Sequence, residues 1–512
     1  MPEPAATLQL DGSPLAPEDV MRVARDRVPV ALGAEGFRRL AAAREVVDRA
    51  LASGLAVYGL NTGFGSLSRV RIDAGAVAEL QRNLVRSHAA GAGPLLPQQT
   101  VRAMMVVLAA SLARGHSGVR PVVVEQICRM LNQDLVPAVP CLGSVGASGD
   151  LAPLSHVALA MMGEGDCYLQ DVRTRSGHAL RATGLAPLSL EAKEGLALIN
   201  GTHFMAGAGT LALLDAERLF RAAIRAGAMA IDGCLATDAF LDPRLHMARA
   251  QDGQIAVAEA LRAQLHGSSI LRSHLDDDPR VQDPYCLRCM PQVLGAALDQ
   301  LRWVRTILTR ELGAVTDNPL VFPEDGTIRS GGNFHGMPLA IAFDAARVAL
   351  CHVAGISERR TFWALSGHDQ VSALAPFLAP SPGLHSGLMI AQYTAAACCN
   401  ELQTLCMPSS VANVTTSAGM EDYNSFGAAG ARHFERSVSL ARTVVAIELL
   451  CMGEAVERRR PLQSGPGVEA ALGIIRTQVP KLEEDRPPSP DIAAIEQLIA
   501  SGAFDGPESP RL

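Results

Sequence analysis

Three stretches, 204–230, 291–313 and 427–457, keep apolar residues at helical spacing over lengths that exceed any crossover helix of an α/β sheet. Each buries a stripe along its whole length, so each needs neighbours of comparable length, and a bundle of long packed helices follows. Segments 34–53, 74–90, 97–114, 122–133, 189–198, 253–265, 337–357 and 387–407 repeat the pattern, with Ala, Leu, Arg and Glu dominating. Strand signals are short: Thr7 to Leu10 before "DGSP", Val28 to Leu32, and a hairpin in "LVFPEDGTIRSGG" that turns at Asp325-Gly326. The expected fold is mainly α, a long-helix bundle with a smaller mixed N-terminal region. Its expected divisions are 1–202, 203–478, and 479–512, where "VPKLEEDRPPSPD" leads to a last helix near 491–501.

A chain of 512 residues needs more than one packed subregion, and 48% hydrophobic against 19% charged residues is a globular balance. The net charge of −7, without any long block of like charge, points away from nucleic acid and from an acidic membrane surface. The longest apolar stretch, Ala103 to Ala113, is about half a bilayer span. The opening "MPEPAATLQLDGSP" has neither the basic region nor the apolar core of a signal peptide. A cytoplasmic location is expected. Eleven irregularly spaced cysteines fit reduced thiols, and the single CxxC, Cys286 to Cys289, lacks the second pair that zinc would need.

Glycine-rich joints interrupt the helices at 59–65, 143–151, 200–202, 283–288, 316–319, 330–335 and 417–427. Loops held by a rigid scaffold are where sites lie. In "GSVGASGDLAPLSH", at 143–156, no lysine is present for a phosphate loop, and Asp150 breaks the glycine pattern of a serine elbow. A hydrolase triad stays open, since triads are defined by geometry. A Schiff-base cofactor would need Lys193 or Lys481, the only lysines beside 43 arginines, and both are expected to be solvated. The backbone offers a further route. Gly149 leaves its nitrogen unhindered and Ala147 leaves its carbonyl approachable, so ring closure and dehydration of Ser148 would make an electrophilic methylidene.

Together with "YGLNTGFG", "NLVRSHAAG", "ALINGT", "QDPYCLRC", "TDNPLVF", "GGNFHG" and "SGLMIAQYTAAA", that loop resembles the histidine/phenylalanine/tyrosine ammonia-lyase family. The motifs keep the family's order from about residue 7 to about 495. The resemblance implies an ammonia-lyase/fumarase-like fold and a homotetramer whose active sites draw on more than one subunit. It also implies a 4-methylidene-imidazol-5-one group (MIO) made from Ala147, Ser148 and Gly149, with no external cofactor. By the same resemblance Tyr58 is the base for the β-proton, Asn200 helps form and polarise the ring, and Tyr285 lines it. Arg288 anchors the substrate carboxylate, Gln282 and Asn318 are polar pocket positions, and Phe334 packs on the ring. A phenol must lose about three pKa units to act near neutrality, so positive helix ends or an arginine are expected beside Tyr58.

His88 followed by Ala89, and Glu421, resemble the histidine-specific branch, where a histidine and a carboxylate orient an imidazole. The run Met420 to Phe426 departs from that branch, and some tyrosine aminomutases also keep the glutamate. The resulting expectation is a histidine ammonia-lyase that converts L-histidine to trans-urocanate. Its alternatives are a tyrosine or phenylalanine lyase or aminomutase, and a non-catalytic structural homologue.

Overall fold

A computed structural model describes residues 6–54, 57–63, 65–67, 69–275, 278–508 and 510. Phe64, in the "YGLNTGFG" motif, lies outside the described residues. The architecture is mainly helical, dominated by His203–Gly233, Met290–Glu311, Met337–Leu365 and Gly427–Glu457. His203–Gly233 and Gly427–Glu457 contain the expected segments 204–230 and 427–457, Met337–Leu365 contains 337–357, and Met290–Glu311 ends two residues before the expected 313.

The chain forms two compact units, each built from separated segments rather than divided in line at 202 and 478. The first comprises 1–212, 306–343 and 408–432; the second comprises 213–305, 344–407 and 433–512. Distant segments join because a long helix buries its stripe against whatever lies beside it, not against its chain neighbours.

In the first unit, Leu8–Leu10 pairs in parallel with Val30–Leu32. Asn132 ties that edge to a helix, accepting from the Val30 N–H at 2.9 Å and donating to the Val30 carbonyl at 2.8 Å. The hairpin of Leu320–Phe322 and Thr327–Arg329 forms as expected. Ala92–Leu95 pairs with Pro140–Leu142, the strand that delivers the chain to the glycine-rich loop. The apolar helix Gln98–Leu112 is buried from Thr100 onward. Its Arg102 donates to the carbonyls of Val23 and Leu131 and pairs with Asp134 at 3.1 Å, so the buried charge is fully engaged.

In the second unit, Arg360 and Glu448, both fully buried, join Met337–Leu365 to Gly427–Glu457 at 2.5 Å. Among the described residues, Met337–Leu365 alone is long and apolar enough to cross a membrane, by length and composition. Within its most apolar window 61% of the residues are buried inside the protein, which is the environment of a core helix.

Candidate active site

The loop 143–150 runs from the strand Pro140–Leu142 into the helix Leu151–Met161. Gly149 bends it with φ +76°, and a Cβ there would collide with the Gly201 carbonyl group. The two backbones meet in a short bridge: the Gly201 N–H donates to the Ser148 carbonyl at 3.2 Å, and the Asp150 N–H to the Gly201 carbonyl at 2.7 Å. From the other side, the Phe426 N–H donates to the Val145 carbonyl at 3.0 Å and the Ser425 hydroxyl to the Gly146 carbonyl at 3.4 Å. Ala147 and Gly149 are buried, whereas Ser148 reaches a cavity of about 740 Å³.

Asp150 closes the loop. It is fully buried and accepts from the Ser144 hydroxyl at 3.1 Å and from the Met205 N–H at 2.9 Å. Burial pushes its carboxyl up to about 7 against the pull of those donors.

Asn200 ends the short helix Glu194–Ile199 and lines the cavity beside Ser148. Its Nδ2 donates to Asp317 Oδ1 at 3.1 Å and to the Asn318 carbonyl at 3.2 Å. Lys193, expected in solvent, is instead fully buried with its Nζ 2.5 Å from Asp317 Oδ2. Burial lowers its pKa and Asp317 pulls it back up. It does not line the cavity, so the geometry gives no support to a Schiff-base role.

Tyr58 also lines the cavity, and its hydroxyl accepts from the Gly65 N–H at 3.4 Å. Burial pushes its pKa above the ordinary phenol value, the Gly65 contact opposes this, and the charges of Glu421 and Asp317 add to the rise. The expectation of a lowered phenol pKa is therefore not met, first because the phenol is buried and second because the charges of Glu421 and Asp317 reach it.

His88, Asn318, Phe334 and Glu421 line the same cavity. His88 Nδ1 lies 2.9 Å from the Leu84 carbonyl, which can only accept, so Nδ1 carries a proton there and Nε2 is the ring nitrogen left for another partner. Glu421 Oε2 accepts from the Thr416 hydroxyl at 3.1 Å. Gln282, Tyr285 and Arg288 belong to the second unit and are not among the cavity's lining residues. There, the Arg288 guanidinium sits 4.6 Å from the Tyr285 ring centroid and its Nε donates to the Asp283 carbonyl at 2.9 Å. Tyr285 is 71% exposed.

Sequence reasoning missed Asn83 and Asp317, placed Lys193 in solvent, and gave Met420 no place in the cavity it lines. Leu80, Asn83, Leu84, Ser87 and His88 all line the cavity from one helix, Val77–His88, at spacings of three and four, and that period was the available signal for Asn83. His203, just beyond the loop's bridge, is buried with neither ring nitrogen hydrogen-bonded among the described residues. Burial pushes its pKa down to about 4, which keeps it neutral.

Residues 15–477 match the sequence profile of the aromatic amino acid lyases. A histidine ammonia-lyase of Sorangium cellulosum is 48% identical over 501 residues, covering 96% of this chain and 97% of that one. Histidine ammonia-lyase from Trypanosoma cruzi superposes with a TM-score of 0.91 at 38% identity, covering 98% of this chain and 94% of that one. Tyrosine aminomutase from Streptomyces globisporus superposes with a TM-score of 0.92 at 36% identity, covering 98% of both. A profile match that spans both the glycine-rich loop and every residue lining the cavity, on a backbone shared with such enzymes, has one meaning: the chain belongs to the aromatic amino acid lyase family.

Proposed function

We propose that the protein is a histidine ammonia-lyase, a carbon–nitrogen lyase that eliminates ammonia from L-histidine to leave trans-urocanate. The observation that carries this reading is a single cavity lined by Ser148, Asn200 and Tyr58 together with His88 and Glu421.

The loop suits a ring made from its own backbone. Gly149 takes a left-handed bend that has no room for a Cβ, which frees its nitrogen to turn toward Ala147. Bonding of the Gly149 nitrogen to the Ala147 carbonyl carbon releases that oxygen as water; Ser148 then loses its α-hydrogen and hydroxyl as a second water. The balance needs no oxidant and no external cofactor. The resulting methylidene-imidazolone supplies an electrophile that draws electrons from the substrate.

The surrounding residues do the rest. Tyr58 accepts the β-proton, and Asn200 holds its amide beside Ser148. Glu421 and His88 Nε2 take the two nitrogens of the imidazole, and Phe334 flanks the reacting loop. Asn318 supplies a polar contact. In this reading Arg288, Tyr285 and Gln282 enter the site from another copy of the chain in a cytosolic homotetramer, Arg288 gripping the substrate carboxylate through its planar fork.

A second reading, a tyrosine or phenylalanine lyase or aminomutase, is favoured by one feature: Met420, an apolar side chain, lines the cavity next to Glu421. Incubation with L-histidine, L-tyrosine and L-phenylalanine, following urocanate, coumarate, cinnamate and the β-amino acids, separates the two. Urocanate should form fastest; faster coumarate or cinnamate defeats the histidine assignment. An intact mass without the loss of two waters would identify a non-catalytic homologue.

A further inference from the structure

We propose that the buried Lys193–Asp317 pair is a positioning device for Asn200, in which a lysine rather than an arginine is required because it occupies only one carboxylate oxygen. The proposal rests on the reading of Asn200 as the residue that serves the Ala147-Ser148-Gly149 loop.

A fully buried ammonium survives only with a partner, and Asp317, 2% exposed, is that partner. Lys193 contacts Oδ2 alone. Oδ1 is thereby free to accept from Asn200 Nδ2 at 3.1 Å and from the Asn318 N–H at 2.6 Å. An arginine fork reads both oxygens of a carboxylate at once and would compete for Oδ1. In a chain with 43 arginines and two lysines, the lysine stands where a point charge is needed.

His203 is also within electrostatic reach of Asp317, but burial keeps it neutral, so Lys193 supplies the compensating charge. The Asn200 amide has acceptors, Asp317 Oδ1 and the Asn318 carbonyl, for both Nδ2 hydrogens. That fixes which edge of the amide is nitrogen and leaves its oxygen facing elsewhere. Lys193 and Asn200 sit at opposite ends of one short helix, Glu194–Ile199, whose Ala197 N–H donates to the Lys193 carbonyl at 2.9 Å. A single carboxylate on another segment clamps both ends. Neither Lys193 nor Asp317 lines the cavity; Asp317 touches it through Asn200 and Asn318, and its charge also reaches Tyr58, so the Lys193 variants, which keep Asp317, are the ones that read the clamp on Asn200.

The test uses the full chain as wild type, Lys193→Met, Lys193→Arg and the doubly neutral Lys193→Met/Asp317→Leu, comparing intact mass, helical signal, kcat and KM for L-histidine. Both single variants should lose about 10- to 100-fold in kcat, the scale on which partners behind site residues act, with KM little changed and a smaller fraction of chains lacking two waters. The double variant removes both buried charges, so it should fold and show the same losses. Wild-type kcat and mass in Lys193→Arg would mean that any cation suffices, and wild-type behaviour in the double variant that neither charge matters; either result overturns the proposal. A wild-type chain that has not lost two waters would instead overturn the reading of the loop.

Discussion

Gly149 and Gly201 meet backbone against backbone, close enough that a methyl group on Gly149 would collide with the Gly201 carbonyl. Gly149→Ala adds that collision to a left-handed φ of +76°. The variant should melt earlier, by the equivalent of about 1–3 kcal/mol, and keep its full unmodified mass. Thermal melting and mass spectrometry check both, and a two-water loss at wild-type stability would contradict the close approach.

Tyr58→Phe removes the phenolic oxygen while filling the same space, and kcat should fall by roughly 10²–10⁴-fold, the usual contribution of a positioned base. Because burial and nearby anions raise the Tyr58 pKa, the active phenolate gains population as pH rises, and kcat/KM should climb through the alkaline range. Glu421→Gln removes one of those anions, so the limb should move to lower pH even as KM for L-histidine rises. A limb that stays in place would separate Glu421 from Tyr58.

Arg288→Lys replaces a planar fork by a point charge. If Arg288 holds the substrate carboxylate, binding should weaken by about 1–3 kcal/mol, read as a raised KM in steady-state kinetics. An unchanged KM would remove Arg288 from the anchoring role.

His203 should govern part of the acid sensitivity of the fold. Its folded pKa of about 4 lies below its ordinary 6.5, so its share of stability is complete above pH 6.5 and is lost as pH falls toward 4. The difference corresponds to roughly 3 kcal/mol. His203→Gln, which has no proton to take up, should flatten denaturant midpoints across that window. Equal slopes in wild type and variant would show that His203 does not titrate there.

The long helices were legible because a stripe repeated over many turns leaves little ambiguity: Gly427–Glu457 has the expected ends. Met337–Leu365 runs past its expected end at 357 because Glu358 and Arg360 break the apolar pattern while being buried themselves. Leu151–Met161 was missed because it is apolar on nearly every side and so has no stripe. Pro140–Leu142 starts with a residue that argues against a strand. The Ala147-Ser148-Gly149 loop, Tyr58, His88 and Asn200 sit in local motifs that a sequence displays directly. Lys193 does not: its burial depends on Asp317, 124 residues away, and local composition carries no trace of that partner.

The contact between Ser425 and Gly146 spans 279 residues of chain. A ribosome that has released the tripeptide has therefore not yet made one of the surfaces on which the loop rests, since Ser425 and Phe426 follow it only after some 279 further residues. In the proposed chemistry, ring closure in the loop waits on residues made long after it. A truncated product that stops short of residue 425 carries the Ala147-Ser148-Gly149 sequence without that part of its seat, and the proposed ring closure would lack its support there.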